Sequence, residues 1–248
     1  MRSHAKDGAL NETMILSTLD KHYYKDLSDK WKRHMNRMFK DIQPDDYITV
    51  DYYPYKDAKP DLEIKVRNKT IHLSVKSGHS PTVHHERTYS FFQFLKDLDV
   101  PKRILRIMYF YHYGYSCKNP GNSHIFSREE ILEKYPEYVK EVNEFFSSHE
   151  DILREIIYRT IIRGRLKRDL IDYFYYGNPA KGFLLSIKDI DRLITKEKIV
   201  LDKTVAFKSL TYVGYGRSED KEKHNDLMIH WPVLCKWFYD KGFMIMYG

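Results

Sequence analysis

The sequence predicts an α/β protein in which helices flank a central mixed sheet, followed by a mainly helical second half with a few strands. Segments within 47–76 alternate apolar and polar residues, which is typical of half-buried strands. Before them, 27–39 carries apolar residues at three- and four-residue steps, as a helix packed on a sheet does. Helical patterns dominate beyond a polar, Gly- and Pro-containing segment. We therefore predict two domains, 1–116 and 117–248.

Composition favours a protein that binds a polyanion. The 248 residues are 42% hydrophobic and carry a net charge of +7, and Lys and Arg that neutralise phosphates release counterions. Cys117 and Cys235 have no partners at metal-ligand spacing, which excludes a zinc ribbon or a disulfide framework. Residues 1–13 lack an apolar signal-peptide core, and no run suits a membrane helix. We expect a cytoplasmic protein without a membrane partner.

The first elements are a helical region and a strand. Residues 11–40 read as helical, and Ser28 is a plausible N-cap for the second half of that region. Lys and Arg residues on the exposed face of this half can lie along a phosphate backbone, although a solvated face is the plainer interpretation. The alternation in Tyr47–Tyr53 predicts the first strand.

A hairpin then brings charged residues together. Asp61–Val66 and Thr70–Lys76 both alternate, with a short turn between them that we place at Asn68 and Lys69. This register pairs Asp61 with Lys76 and Glu63 with Ser74, all on one polar face. Directly opposed residues have Cβ atoms about 4.5–5.5 Å apart. The hairpin therefore predicts two carboxylates and a lysine around one ion.

The letters Pro60-Asp61 followed by Ser74-Val75-Lys76 resemble the motif of the PD-(D/E)XK nuclease superfamily. The resemblance covers roughly residues 28–115 and implies a restriction-endonuclease-like fold. It implies that Asp61 binds the metal, that the Val75 carbonyl completes the metal shell, and that Lys76 contacts the attacking water and the phosphate. Ser74 departs from the usual acid, and Glu63 is the residue we expect to supply the missing carboxylate.

The predicted cofactor is Mg²⁺, with Mn²⁺ as a substitute, because one or two carboxylates suffice for an ion that keeps several waters. The family often places a metal-binding glutamate on the first helix. The chain has no glutamate between Glu12 and Glu63, so that ligand is absent or replaced by Asp26 or Asp29. The alternative to a metal site is a surface hairpin whose Asp61 and Lys76 form a weak ion pair.

The segment after Lys76 suggests substrate contacts. Ser77-Gly78 and the following turn predict a helix that begins near Val83, and a helix N-terminus offers N–H groups to phosphate. Lys-Ser-Gly followed by Val-His-x-Glu resembles a subgroup of these nucleases, in which the segment joins the catalytic strand to the second helix. Because this segment lies just beyond Lys76, we predict that Ser77, His84 and Glu86 bind substrate; His84 or Glu86 could instead ligate a second ion or assist proton transfer. Capping of the helix is an equal alternative for His84 and Glu86.

The second half reads as alternating helices and short strands. A fourth core strand is predicted over Lys102–Tyr113 from its apolar run. The further helices are predicted over 127–135, 136–147, 150–176, 186–196 and 232–239, and the further strands over 181–185, 205–215 and 227–231. The third of these helices carries the densest positive cluster, from which we predict DNA contacts by Arg163, Arg165, Lys167 and Arg168.

Three functions compete at this point. The first is a Mg²⁺-dependent DNA endonuclease, restriction-like or part of phage defence or a mobile element, in which Asp61, Glu63, Ser74 and Lys76 form the catalytic site. The second is a nuclease of the same fold acting on RNA or on branched or single-stranded DNA. The third is an inactive nucleic-acid-binding protein. A homodimer would match duplex symmetry, and no nucleotide-binding or serine-hydrolase motif supports a small-molecule enzyme.

Overall fold

A computed structural model places a mixed six-stranded sheet at the centre of the region that contains the hairpin. The structure describes residues 4–55, 58–115, 124–165, 170–196, 203–216, 218 and 220–240. The α-helices among them are α1 (His4–Leu19), α2 (Asp29–Met38), α3 (Thr88–Asp97), α4 (Lys102–Tyr113), α5 (Arg128–Lys134), α6 (Pro136–Ser148), α7 (Glu150–Ile157), α8 (Ile187–Lys196) and α9 (Pro232–Asp240). The strands are β1 (His22–Tyr23), β2 (Tyr47–Tyr52), β3 (Leu62–Val66), β4 (Lys69–Lys76), β5 (Thr82–Arg87), β6 (Tyr173–Gly177), β7 (Gly182–Ser186), β8 (Ala206–Phe207), β9 (Leu210–Gly214) and β10 (Asp226–His230).

The described residues group into two compact units. The first unit contains those within Met1–Pro81, Tyr158–Leu193 and Val233–Gly248, and the second contains those within Thr82–Ile157 and Ile194–Pro232. Each unit thus uses chain from both sides of residue 116. The predicted boundary at that residue does not follow these units. The assignment of a nuclease core to 1–116 and of nucleic-acid recognition to 117–248 stays a prediction.

The first unit is built on the sheet β1-β2-β3-β4-β6-β7. Its neighbouring strands are antiparallel except for β4 and β6, which run parallel. Ile15 of α1 and Trp31 and Met35 of α2 are buried in one apolar cluster with Ile64 and Val75 of the sheet. The predicted fold class is confirmed: a mixed sheet flanked by helices.

The fourth core strand was placed on the wrong segment. Lys102–Tyr113 is helix α4, because Ile104, Ile107, Met108 and Tyr111 follow steps of three and four and are buried on one helix face. The parallel neighbour of β4 is β6, within the segment 150–176 that we predicted as one helix. That segment is helical through α7, forms a π-helical turn at Tyr158–Ile162, and returns as an aromatic-rich strand.

The second unit contains the antiparallel sheet β5-β10-β9-β8. Residues 82–87 form β5 and the following helix begins at Thr88, so the predicted helix start near Val83 is wrong. The partner of β5 is β10, far along the chain, which is why local sequence favoured a helix. The predicted strand over 205–215 is a hairpin of β8 and β9 in which Lys208 takes a φ of +53°.

The N-terminal helical region is two helices, because the chain turns at Lys21, with φ of +60°, and forms the short strand β1. Ser28 caps α2 as predicted, accepting from Trp31 N. The strand β2, the strand β7, the helix α8 and the capping box at Ser127 also follow the prediction. Within the described residues, no helix is long and apolar enough to cross a membrane.

Candidate active site

The hairpin β3–β4 has the predicted faces but a different register. Its turn is Arg67-Asn68, and Arg67 takes a φ of +53° while its guanidinium binds the Asp46 carboxylate at 2.6 Å. Glu63 consequently pairs with His72, and the predicted Glu63–Ser74 pairing is wrong. In the same register Lys76 is not directly opposite Asp61, so that predicted pairing is also wrong, although the two side chains still meet. Moving the turn by one residue shifts the partners by two, so every side chain keeps the face that the alternation predicted.

Asp61 and Lys76 lie together at the end of these strands. Lys76 Nζ is 3.7 Å from Asp61 Oδ2. The same oxygen accepts from Val75 N at 2.6 Å and from Ser74 Oγ at 3.0 Å. Two donors thus hold the carboxylate of Asp61, one of them a backbone amide, and the amide fixes its position independently of side-chain choice.

Ser74 and Val75 contribute to this arrangement in different ways. The Ser74 side chain is fully buried, and its hydroxyl donates to Asp61. A hydroxyl at this position is a donor where an acid would be an acceptor, so Ser74 orients Asp61 in the structure. The Val75 side chain packs in the apolar cluster. A role for its carbonyl in metal binding stays a prediction.

Helix α1 adds a carboxyl that the sequence argument did not include in the site. Asn11 Nδ2 donates to the carbonyl of Gly177 at 2.9 Å, which places this part of α1 beside the end of β6. Burial raises the pKa of the neighbouring Glu12 to about 7; the charge of Asp61 adds to the rise and that of Lys76 opposes it. Glu12, Asp61 and Lys76 are therefore within electrostatic reach of one another.

Helix α1 therefore carries a glutamate, Glu12, within electrostatic reach of Asp61. Asp26 and Asp29, the replacements we considered, are exposed on the 3-10 turn and at the start of α2. The missed signal was the break at Asp20-Lys21. The sequence prediction reads 11–40 as helical and takes its second half, capped at Ser28, as the helix packed on the sheet, so Glu12 is not considered as the first-helix glutamate.

Lys59 lies buried just before the site. Its Nζ donates to the Thr160 carbonyl at 2.6 Å. Burial lowers the pKa of the Lys59 ammonium to about 7; the charge of Lys76 acts in the same direction and that of Asp61 opposes it. The sequence carried no signal for this residue, because burial of a lysine depends on chain that is a hundred positions away.

Glu63 lies closer to the turn in a separate group of charges. Its carboxylate is 3.1 Å from Lys65 Nζ and 3.5 Å from His72 Nε2, and Lys65 Nζ is 3.0 Å from Asp51. The carboxylates of Asp51 and Glu63 raise the pKa of Lys65 through hydrogen bonds. A role for Glu63 in metal binding stays a prediction.

The predicted substrate-binding residues fall in different places. Ser77 directly follows β4 and is half-buried. His84 and Glu86 lie on β5 of the second unit rather than at a helix start, and their side chains are 3.1 Å apart. The helix-cap role for them is therefore wrong, and substrate binding by all three stays a prediction.

The basic cluster does not lie on a continuous helix. Arg163 and Arg165 follow the π-helical turn, with Arg163 half-buried and Arg165 exposed. Lys167 and Arg168 lie outside the described residues. Contact of these four residues with nucleic acid stays a prediction.

The carboxylates do not form a ready-made metal cage. In the part of the chain that the structure describes, no three His, Cys, Asp or Glu side chains form a group that could hold a metal ion. An ion at Asp61 would therefore need ligands beyond the side chains, such as water or a carbonyl.

The mixed sheet and the helices that flank it have a restriction-endonuclease-like fold. No protein-family model matches the chain, and no curated protein sequence matches it. Among solved structures it is similar to restriction endonuclease MspI, crystallised in complex with its cognate DNA. The two share 12% identity and superpose with a TM-score of 0.53 over 91% of this chain and 89% of the MspI chain. This likeness shows the fold.

Proposed function

We propose that the protein is a metal-dependent endonuclease that hydrolyses DNA phosphodiester bonds, in the manner of a restriction enzyme. The observation that carries the proposal is the distance of 3.7 Å between Asp61 and Lys76 at the end of neighbouring strands, with Glu12 in electrostatic reach. The likeness to a DNA-bound restriction endonuclease and the net charge of +7 support DNA as the substrate.

The acidic residues fit a hard divalent cation. Asp61 and Glu12 offer oxygen ligands, and the raised pKa of Glu12 reflects burial beside another negative charge. A cation between them would remove this repulsion, and Mg²⁺ needs only one or two carboxylates. Asp61 and Glu12 would hold the ion, with Mn²⁺ as a substitute.

The chain's own residues supply the remaining functions. A bound cation polarises the phosphoryl oxygen and lowers the pKa of a water. Lys76 donates to the phosphate oxygens where negative charge develops, or orients the attacking water. Ser74 and the Val75 amide keep Asp61 in place while the substrate binds.

The test is cleavage of supercoiled plasmid by the purified chain with Mg²⁺, Mn²⁺ or EDTA. We expect nicked and linear products with either metal and none with EDTA. Lys76→Ala should remove the activity, whereas Lys65→Ala, a lysine on the same polar face, should retain it.

Parallel reactions with RNA and with single-stranded and branched DNA identify the substrate class. Cleavage of those substrates without cleavage of duplex DNA would replace the DNA endonuclease by the second candidate. Binding of DNA without cleavage of any substrate would leave an inactive nucleic-acid-binding protein, the function that the missing acid at Ser74 favours. Gel filtration coupled to light scattering tests the predicted homodimer.

A further inference from the structure

Lys59 is unusual because its charged end is enclosed by protein. The residue is 8% exposed, and Nζ donates to the backbone carbonyl of Thr160 at 2.6 Å. The charges of Asp61 and Lys76 both act on this ammonium. A buried ammonium is costly unless it is hydrogen-bonded, so the contact with Thr160 is one that the fold must keep.

The segment that Lys59 contacts has an uncommon backbone. Thr160 belongs to the π-helical turn Tyr158–Ile162. Such turns are rare in proteins, and those that occur are often found at functional sites. Gly164 follows with a φ of +65°, and a Cβ there would lie 3.3 Å from Lys59 Cβ. The segment 158–164 is therefore held against Lys59 at both the tip and the base of its side chain.

The other side of Asp61 is held by the sheet. Asp61 N donates to the Leu73 carbonyl at 2.9 Å, and Tyr53 N donates to the Asp61 carbonyl at 3.0 Å. Lys59 is two residues before Asp61, where this ladder has not begun. Its hydrogen bond to Thr160 thus helps to fix the chain that leads into the site.

We infer that Lys59 is a positioning residue of the candidate active site, holding the chain before Asp61 against the π-helical turn through the Thr160 carbonyl and Gly164. The inference rests on the proposed function for its consequence in catalysis. Because Lys59 is buried, it acts on the placement of Asp61 and does not touch DNA. A displacement of about 1 Å at a reacting centre can cost about 100-fold in rate.

The experiment compares Lys59→Met, which keeps the apolar stem, with Lys59→Arg, which restores a donor and a charge. Lys96→Met neutralises an exposed lysine on α3 and is the matched control. Hydrogen exchange of peptides covering 158–165 is measured without metal, and kcat and KM are measured on duplex DNA.

We expect Lys59→Met to exchange faster over 158–165 and to lower kcat by about 30-fold or more, with KM changed less than about twofold. Lys59→Arg should recover part of both losses. Gly164→Ala reaches the same contact from the other side, through the strained φ and the short Cβ distance, and should lower kcat with unchanged KM.

Unchanged exchange and unchanged kcat in Lys59→Met would overturn the inference. A raised KM at constant kcat would also overturn it, because the residue would then bind substrate. If Lys59→Met does not fold, Gly164→Ala decides by the same two readouts. If the unmodified protein cuts no nucleic acid, the proposed function fails while hydrogen exchange still tests the contact between Lys59 and Thr160.

Discussion

The polar face of the hairpin and the neighbouring strand β2 carries two groups of carboxylates and lysines that differ in their surroundings. Near the turn, Asp51 and Lys65 are 64% and 40% exposed at their side chains. At the end of the strands, Asp61 and Lys76 are 21% and 30% exposed, and a backbone amide donates to Asp61. Both groups contain an aspartate and a lysine, and both lie on the same sheet, so the difference between them is one of surroundings.

The difference in exposure and hydrogen bonding distinguishes an ordinary surface ion pair from the candidate active site. Exposed pairs are screened by water and contribute little to stability. A backbone amide holds the Asp61 carboxylate in place. The half-buried Glu12 lies within electrostatic reach of Asp61, and burial raises the pKa of Glu12 to about 7, a perturbation that is typical of functional sites. We therefore expect substitutions at the two groups to have very different effects.

Substitution of one aspartate in each group should give the largest difference in cleavage rate between the two groups. Asp61→Asn keeps an acceptor for Val75 N and Ser74 Oγ but removes the negative charge, so we expect cleavage to fall by at least about 10³-fold with the fold retained. The Asp51→Asn variant should cleave plasmid at a rate within about twofold of that of the unmodified protein. Initial rates on supercoiled plasmid measure both, and equal losses in the two variants would contradict the comparison.

Glu12→Gln should lower cleavage by about 10- to 100-fold, as loss of a metal-binding partner does, and raise the metal concentration for half-maximal rate. It should also raise the Tm of the metal-free protein at about pH 8, above the raised pKa of Glu12, because a half-buried negative charge beside Asp61 is then removed. Opposite effects on stability and activity are typical of functional sites.

Glu63→Gln is the control for Glu12→Gln, because it makes the same substitution in the other group of charges. We expect a smaller loss of cleavage than for Glu12→Gln and no rise in Tm, since Glu63 has Lys65 and His72 as partners. The reverse order would return the second carboxylate of the site to Glu63, where the sequence argument placed it.

Local patterns predicted the hairpin, its two faces and the meeting of Asp61 with Lys76. Alternation fixes which side each residue occupies, and a turn misplaced by one position preserves that side. The cross-strand partner of Glu63 depends on the exact position of the turn, so the prediction of that partner was wrong.

The remaining parts of the site depended on distant chain. The apolar run in α4 fits a strand or a buried helix equally well until its three- and four-residue steps are counted. The parallel strand β6 and the burial of Lys59 come from segments about a hundred residues away. Glu12 was visible in the sequence, but its closeness to Asp61 required the packing of α1.

Ser74→Ala should have an effect on cleavage that is intermediate among these variants. The variant removes one hydrogen bond of 3.0 Å to Asp61 and leaves that from Val75 N. We expect a loss of about 1 kcal/mol in unfolding free energy, seen as a Tm lower by about 3 °C, and cleavage reduced by less than about tenfold. A loss as large as that of Asp61→Asn would show that the hydroxyl, rather than the amide, holds the carboxylate.

Lys65→Met should have the smallest effect of these variants. The ammonium bridges Asp51 and Glu63, and its raised pKa comes from hydrogen bonds to these two exposed or partly exposed carboxylates. Because water replaces such partners readily, we expect the Tm to move by less than about 2 °C and plasmid cleavage to stay within twofold. Thermal unfolding and cleavage rates measured on the same preparation check this. A loss of cleavage at unchanged Tm would mean that the charges near the turn also act on the substrate, and the two groups would then have to be treated as one extended site.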